Sequence, residues 1–161
     1  MNYFHTAVLL AILMSAGCSD VKPLRVSQPV EPFRLANLQG NEINTASNRG
    51  KTTVVYFWND QCGCVEQLIK LKPFITTRDG QKFSFLTVNA GQGKKSVEGF
   101  VSGNRLPYEV LLDTNLKITE KRFGVNVLPT IFIIDHNSIL REKLIGIVDS
   151  KRLETIISKY L

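Results

Sequence analysis

The sequence predicts an α/β domain: a central mixed β-sheet flanked by helices, with a β-hairpin ahead of it. Three observations carry this expectation. Thr52–Trp58 (TTVVYFW) is an unbroken β-branched and aromatic run, the pattern of a strand buried on both faces. Downstream, strand-like and helix-like segments alternate, as parallel strands joined through crossover helices require. The order then closes on two strand-like segments, 130–134 and 139–145, joined by the turn residues Asp135-His136-Asn137-Ser138.

Each element follows from local pattern. Phe33, Leu35 and Leu38, a turn at Gln39-Gly40-Asn41, and Ile43 predict a short hairpin at the edge of the domain. After the TTVVYFW strand a helix is expected from about Cys64, with Val65, Leu68, Ile69 and Leu71 as its apolar side. It should end or kink at Pro73, which has no N–H and whose ring crowds the preceding turn. Residues 83–89 (FSFLTVN) predict a second long strand, 96–102 a weak helix around Val97, Phe100 and Val101, and 110–112 a short strand before Asp113. Residues 116–123 read as a helix closed by Gly124. A last helix begins at Asp149 or Ser150, with Leu153, Ile156, Ile157 and Tyr160 at helical spacing on one face.

With 161 residues, 43% of them hydrophobic and 21% charged, the chain has enough apolar mass for one cored domain. It contains no repeat or low-complexity tract. The net charge of +6 is scattered, with short clusters at Lys94-Lys95, Lys121-Arg122 and Lys151-Arg152 and no aromatics interleaved to stack bases. That excludes a nucleic-acid groove and leaves a solvated surface with some attraction to anionic lipid.

The beginning differs from the rest. Residues 7–14 (AVLLAILM) are too short to span a bilayer comfortably, and Ser15-Ala16-Gly17-Cys18 follows them directly. This resembles a bacterial lipoprotein signal, in which small residues precede a cysteine that is acylated and becomes the mature N-terminus. His5 without any Lys or Arg, and Ser15 where leucine is usual, depart from that pattern. The expected organisation is therefore a signal peptide over 1–17, lipidation at Cys18, an extended linker over 18–31 rich in proline, and a folded domain over 32–161.

Cys62 and Cys64 are separated only by Gly63. If lipid occupies Cys18, these two have only each other within the chain, as a structural staple or a redox centre. Two residues of extended chain reach at most about 7 Å, so the pair can fall in the disulfide window of roughly 4.4–6.8 Å. Gly63, lacking a Cβ, relieves some of the strain of so small a ring. A strained disulfide is more oxidising, so a higher potential is expected than a two-residue spacer would give on the same scaffold. Closing so small a loop gains little unfolded-state entropy, which argues against a staple.

Several blocks recur in a known order: Pro32-Phe33-Arg34-Leu35 with Gly40; Arg49-Gly50-Lys51 into Val54-Val55-Tyr56-Phe57-Trp58; the cysteine turn; Thr87-Val88-Asn89; Leu111-Leu112-Asp113; and Phe123-Gly124-Val125 through Leu128-Pro129-Thr130 to Phe132-Ile133-Ile134-Asp135. From about residue 32 to the end the chain resembles thioredoxin-like proteins, and among them the membrane-tethered, extracytoplasmic thiol-disulfide oxidoreductases of the ResA/TlpA type. That family usually places two residues between its cysteines, often after a Trp. Here Gly63 stands alone and Gln61 precedes the pair. The departure bears on the potential and the partner, not on the fold.

The resemblance implies roles. Cys62 would attack and Cys64 resolve. Leu128-Pro129-Thr130 would form a cis-proline loop facing the cysteines and pairing with an extended substrate, with Gly63 beside it and Trp58 as core or active-site wall. Glu66 is either a buried acid handling the resolving thiol's proton or a solvated acid that favours the helix dipole. Asp60, near the cysteines, is either a plain loop acid or a group that tunes the thiol. Partners would be extracytoplasmic proteins bearing cysteines or disulfides, apocytochrome c among the family's suggestions, together with a membrane redox partner. No metal or organic cofactor is expected. Two other functions remain open: a copper(I) chaperone using both thiolates, with His136 the only candidate histidine, and a peroxiredoxin-like peroxidase, for which the Pro/Thr setting before the cysteine is missing. Zinc would need four ligands that the chain does not assemble.

Overall fold

The computed structural model describes residues 24–161. The signal segment, the lipidation expected at Cys18 and the first part of the linker lie outside these residues. Seven strands form one sheet in the order β2-β1-β5-β4-β3-β6-β7. They are β1 (Arg34–Asn37), β2 (Glu42–Asn44), β3 (Thr52–Trp58), β4 (Phe83–Ala90), β5 (Glu109–Asp113), β6 (Thr130–Ile134) and β7 (Leu140–Ile145). The helices are α1 (Val65–Lys70), α2 (Lys72–Thr76), α3 (Lys94–Asn104) and α4 (Ser150–Ser158).

The sheet is mixed, as expected. β3, β4 and β5 run parallel; β6 pairs antiparallel with β3 and β7 antiparallel with β6, and on the other side β1 pairs antiparallel with β5 and β2 antiparallel with β1. β3 is buried along its whole length because it is the strand with helices on one face and further cover on the other. The steps from β3 to β4 and from β4 to β5 go the same way across the sheet, so right-handed crossovers put α1, α2 and α3 on one face. Val54, Tyr56 and Trp58 pack there with Leu68, Leu71, Phe74, Val97, Leu153 and Ile157, so α4 shares that face. Val55 and Phe57 point the other way, into an aromatic cluster with Phe33, Phe123 and Phe132.

Four local outcomes differ from the sequence expectations. The helix after the cysteines breaks at Leu71 and resumes as α2 with Pro73 in its first turn, where a missing N–H costs nothing. Its buried stripe is Leu68, Leu71 and Phe74, while Ile69 stays 38% exposed. Residues 116–123 form a π-helical segment, Lys117–Arg122, entered through Leu116 in the left-handed region at φ 58°. Lastly, residues 24–31 are not a free linker. Ser27 N–H donates to Leu140 O, Leu140 N–H to Gln28 O and Val30 N–H to Ser138 O, each at 2.8–2.9 Å, satisfying the outer edge of β7's first residue. The folded unit therefore includes residues from Leu24 on, ahead of the predicted start.

Candidate redox site

The site is built by the turn that follows β3. Asn59 Oδ1 accepts from Gln61 N–H at 3.1 Å and Asn59 O from Cys62 N–H at 3.5 Å, a β-turn braced by its own first side chain. Gly63 follows at φ +65°, a conformation that favours glycine. Cys64 then stands at the start of α1, its carbonyl accepting the first helical bond from Leu68 N–H at 3.2 Å.

Cys62 and Cys64 are joined by a disulfide, with Cα atoms 5.2 Å apart. The pair is asymmetric: Cys62 is half-buried, whereas Cys64 is fully buried against the helix-covered face of the sheet. Cys62 Sγ lies 3.0 Å from the Asn59 carbonyl oxygen, and Cys64 Sγ 3.9 Å from the same oxygen. Asp60, next in the turn, is held from the end of β4. Gln92 Nε2 donates to Asp60 Oδ1 at 2.6 Å, and Gln92 Oε1 accepts from Asp60 N–H at 3.0 Å and from Asn89 Nδ2 at 2.8 Å.

Strand register brings the second half of the site to the same end of the sheet. Phe57 of β3 pairs with Thr130 of β6, so the residues leaving β3 meet those entering β6. The Leu128–Pro129 peptide is cis. Pro129 O accepts from Gly146 N–H at 2.8 Å, and Thr130 Oγ1 donates to Val127 O at 2.6 Å, fixing the loop that leads into β6. A Cβ placed on Gly63 would sit 4.0 Å from Ile147 Cδ1, so the loop after β7 touches the cysteine turn. Val127, Ile145 and Ile147 are more than half exposed along this rim.

The structure separates the candidate residues. Register and the Gly146–Pro129 and Gly63–Ile147 approaches put Leu128, Pro129 and Thr130 at the same end of the sheet as Cys62, Gly63 and Cys64. Trp58, expected as core or active-site wall, is fully buried and packs on Phe100 with ring centroids 5.1 Å apart, so it supports the turn from inside the core. Glu66 points into solvent and pairs with Lys70 at 2.7 Å; that hydrogen bond and the lysine charge hold its carboxyl below the usual glutamate range. This is the geometry of a solvated first-turn acid. The buried polar group on α1 is instead Gln67, which accepts from Tyr56 Oη at 2.6 Å and donates to Val148 O. Burial, and to a lesser degree Tyr108, pushes the Tyr56 phenol well above its ordinary pKa, so it stays a donor. No motif flagged Asn59, Gln67 or Gln92: amides carry no charge pattern or spacing signature, and their partners come from other elements.

His136 follows β6 at its far end, about 17 Å of strand away from the cysteines, so it is not placed to complete a copper site with them. Among the described residues no group of three or more His, Cys, Asp or Glu side chains converges. What the arrangement offers chemically is a disulfide between a part-exposed cysteine and a fully buried one.

Fold and cysteine pair together define the class: a thioredoxin-like thiol-disulfide oxidoreductase. The chain belongs to the AhpC/TSA family, whose profile matches residues 26–143. Thiol-disulfide oxidoreductase ResA of Geobacillus kaustophilus is 26% identical to it over 158 residues, covering 93% of this chain and 90% of that protein. Sporulation thiol-disulfide oxidoreductase A of Bacillus subtilis is 25% identical over 133 residues, 79% of each chain. A thiol:disulfide interchange protein of the thioredoxin family from Chlorobium tepidum superposes with a TM-score of 0.69 at 19% identity, covering 88% of this chain and 99% of that one. At that identity the likeness is one of fold.

Proposed function

We propose that the protein exchanges its Cys62–Cys64 disulfide with cysteine-bearing proteins on the extracytoplasmic side of a membrane, tethered there by acylation of Cys18. The observation that carries this reading is the asymmetric pair. An accessible sulfur can form a mixed disulfide with a partner, and a buried one 5.2 Å away, Cα to Cα, can resolve it.

In the oxidised protein a partner thiol gives up its proton and attacks Cys62 Sγ, breaking the Cys62–Cys64 bond and leaving the electron pair on Cys64, which takes up that proton. A second partner thiol then attacks its own mixed-disulfide sulfur, releasing Cys62 reduced and the partner oxidised. The same steps run in reverse when Cys62 attacks a partner disulfide and Cys64 resolves it. The backbone of Leu128, whose N–H and C=O take no partner among the described residues, supports β-type pairing with the partner segment that carries the reacting cysteine. The apolar run at 7–14 ahead of Cys18 supports the tether, and no helix among the described residues is long and apolar enough to cross a membrane itself.

The test mixes reduced protein lacking residues 1–18 with a disulfide-containing protein and, separately, with copper(I) competitors. Rapid exchange is expected. Tight stoichiometric copper binding with negligible exchange would reverse the reading.

A further inference from the structure

The Asn59–Gln61 turn is held by more than its own bonds. Gln92 spends both atoms of its amide on neighbouring groups: its nitrogen on the Asp60 carboxylate, its oxygen on the Asp60 N–H and on Asn89. Asn89 is itself fully buried at the end of β4 and is the register partner of Trp58, the last residue of β3. The turn is thus tied to the frame of the sheet through one half-buried side chain. What the tie fixes in place is the Asn59 carbonyl, whose oxygen faces Cys62 Sγ at 3.0 Å.

We propose that Gln92 is a positioning residue for the exchange reaction: by clamping Asp60 it holds the Asn59 carbonyl against Cys62 and so favours the reduced, protonated sulfur over both the disulfide and the thiolate. The inference rests on Cys62–Cys64 being a redox pair. Its physics is differential. A disulfide sulfur has no hydrogen to offer the carbonyl, a thiolate is repelled by its negative end, and a thiol donates to it. Reduction breaks the S–S bond and brings two electrons and two protons from a partner dithiol, which becomes a disulfide; one of those protons is the one that Asn59 O accepts. A carbonyl held there therefore pulls the equilibrium toward the dithiol and slows attack by Cys62 when reduced.

Several charged groups on the flanking helices have partners of their own. Glu66 and Lys70 on α1 pair at 2.7 Å, Lys94 and Glu98 on α3 at 3.4 Å, and Asp149 caps α4 by accepting from Arg152 N–H at 3.1 Å. Asp60 is the charge that the clamp directly contacts, and its own effect is separable by substitution.

The experiment equilibrates each protein with a glutathione redox buffer and measures the reduced fraction, alongside the rate of Cys62 alkylation in the reduced form at neutral pH. Gln92→Ala is expected to shift the equilibrium constant three- to tenfold toward the disulfide, up to about 30 mV, and to speed alkylation. Gln92→Met keeps the side-chain length but neither donates to the Asp60 carboxylate nor accepts from the Asp60 N–H, and should behave like Gln92→Ala. Asp60→Asn retains an acceptor for Gln92 Nε2 without the charge, and should keep most of the wild-type equilibrium. If both Gln92 variants stay within twofold of wild type in both readouts, or if Asp60→Asn reproduces their whole shift, the clamp does not act as stated. A wild-type pair that never equilibrates with glutathione overturns the redox reading itself, a different outcome from an unshifted variant.

Discussion

The Tyr56 hydroxyl donates to Gln67 Oε1 at 2.6 Å inside the core, joining the middle of β3 to the helix that follows the cysteines. Gln67 Nε2 in turn donates to Val148 O, so one buried amide ties strand, cysteine helix and the loop ahead of α4. Tyr56→Phe leaves a buried carbonyl oxygen without its donor and should destabilise the fold by about 1–3 kcal/mol. The urea midpoint reads this. Combining it with Gln67→Met should cost less than the sum of the single changes, because each single change orphans the other's partner.

Cys62 and Cys64 should not be interchangeable. Cys64→Ser keeps the accessible sulfur and loses the resolving one, so mixed disulfides with partner proteins should accumulate and survive non-reducing electrophoresis. Cys62→Ser should yield none and bring exchange to background. Equal trapping by both variants would contradict the assigned roles.

Gly63 sits at φ +65° with open space where a Cβ would go, 4.0 Å from Ile147 Cδ1. Gly63→Ala should therefore destabilise the protein by about 1–2 kcal/mol through its backbone alone, and Gly63→Asn by less, since asparagine tolerates the left-handed region. Inserting one residue after Gly63 enlarges the ring and should lower the reduction potential. A native potential at or below that of the insertion variant would refute the ring-size argument.

Asp135 closes the turn between β6 and β7, accepting from Asn137 N–H and Ile139 N–H at 2.9 Å and from Arg141 Nε at 2.7 Å. Burial pushes its carboxyl up, but these three donors and the arginine charge outweigh that and hold it below the usual aspartate value. A depressed native value means stability that is present above the unfolded pKa of about 3.9 and lost as pH falls through the native one. Asp135→Asn should cost about 1.5–3 kcal/mol at neutral pH. Urea midpoints for the two proteins should converge as pH is lowered below about 4.

How far the sequence disclosed this molecule depended on whether a signal was local. β3 was legible because seven consecutive β-branched and aromatic residues fit a strand covered on both faces. The cysteine turn and the 128–130 loop were legible as motifs. Ile69 and Gln67 were not: an apolar residue faces water and a polar one is buried because Tyr56 and Val148, remote in the chain, supply the partners for the amide. The π-helical segment was hidden for a related reason. Its entry through Leu116 at φ 58° is stabilised by context, with Asp113 Oδ2 accepting from the Thr119 N–H and hydroxyl at 2.6 and 2.7 Å, and no periodicity reports that. Gln92 was silent because its role depends on strand register.

The leading segment is stitched along the first residues of β7, beside the 135–138 loop, whereas the sulfurs sit where β7 and β3 end and β6 begins. Anything gripping the protein upstream of Leu24 thus holds it by the blunt butt of the sheet, a full strand's length behind its working tip.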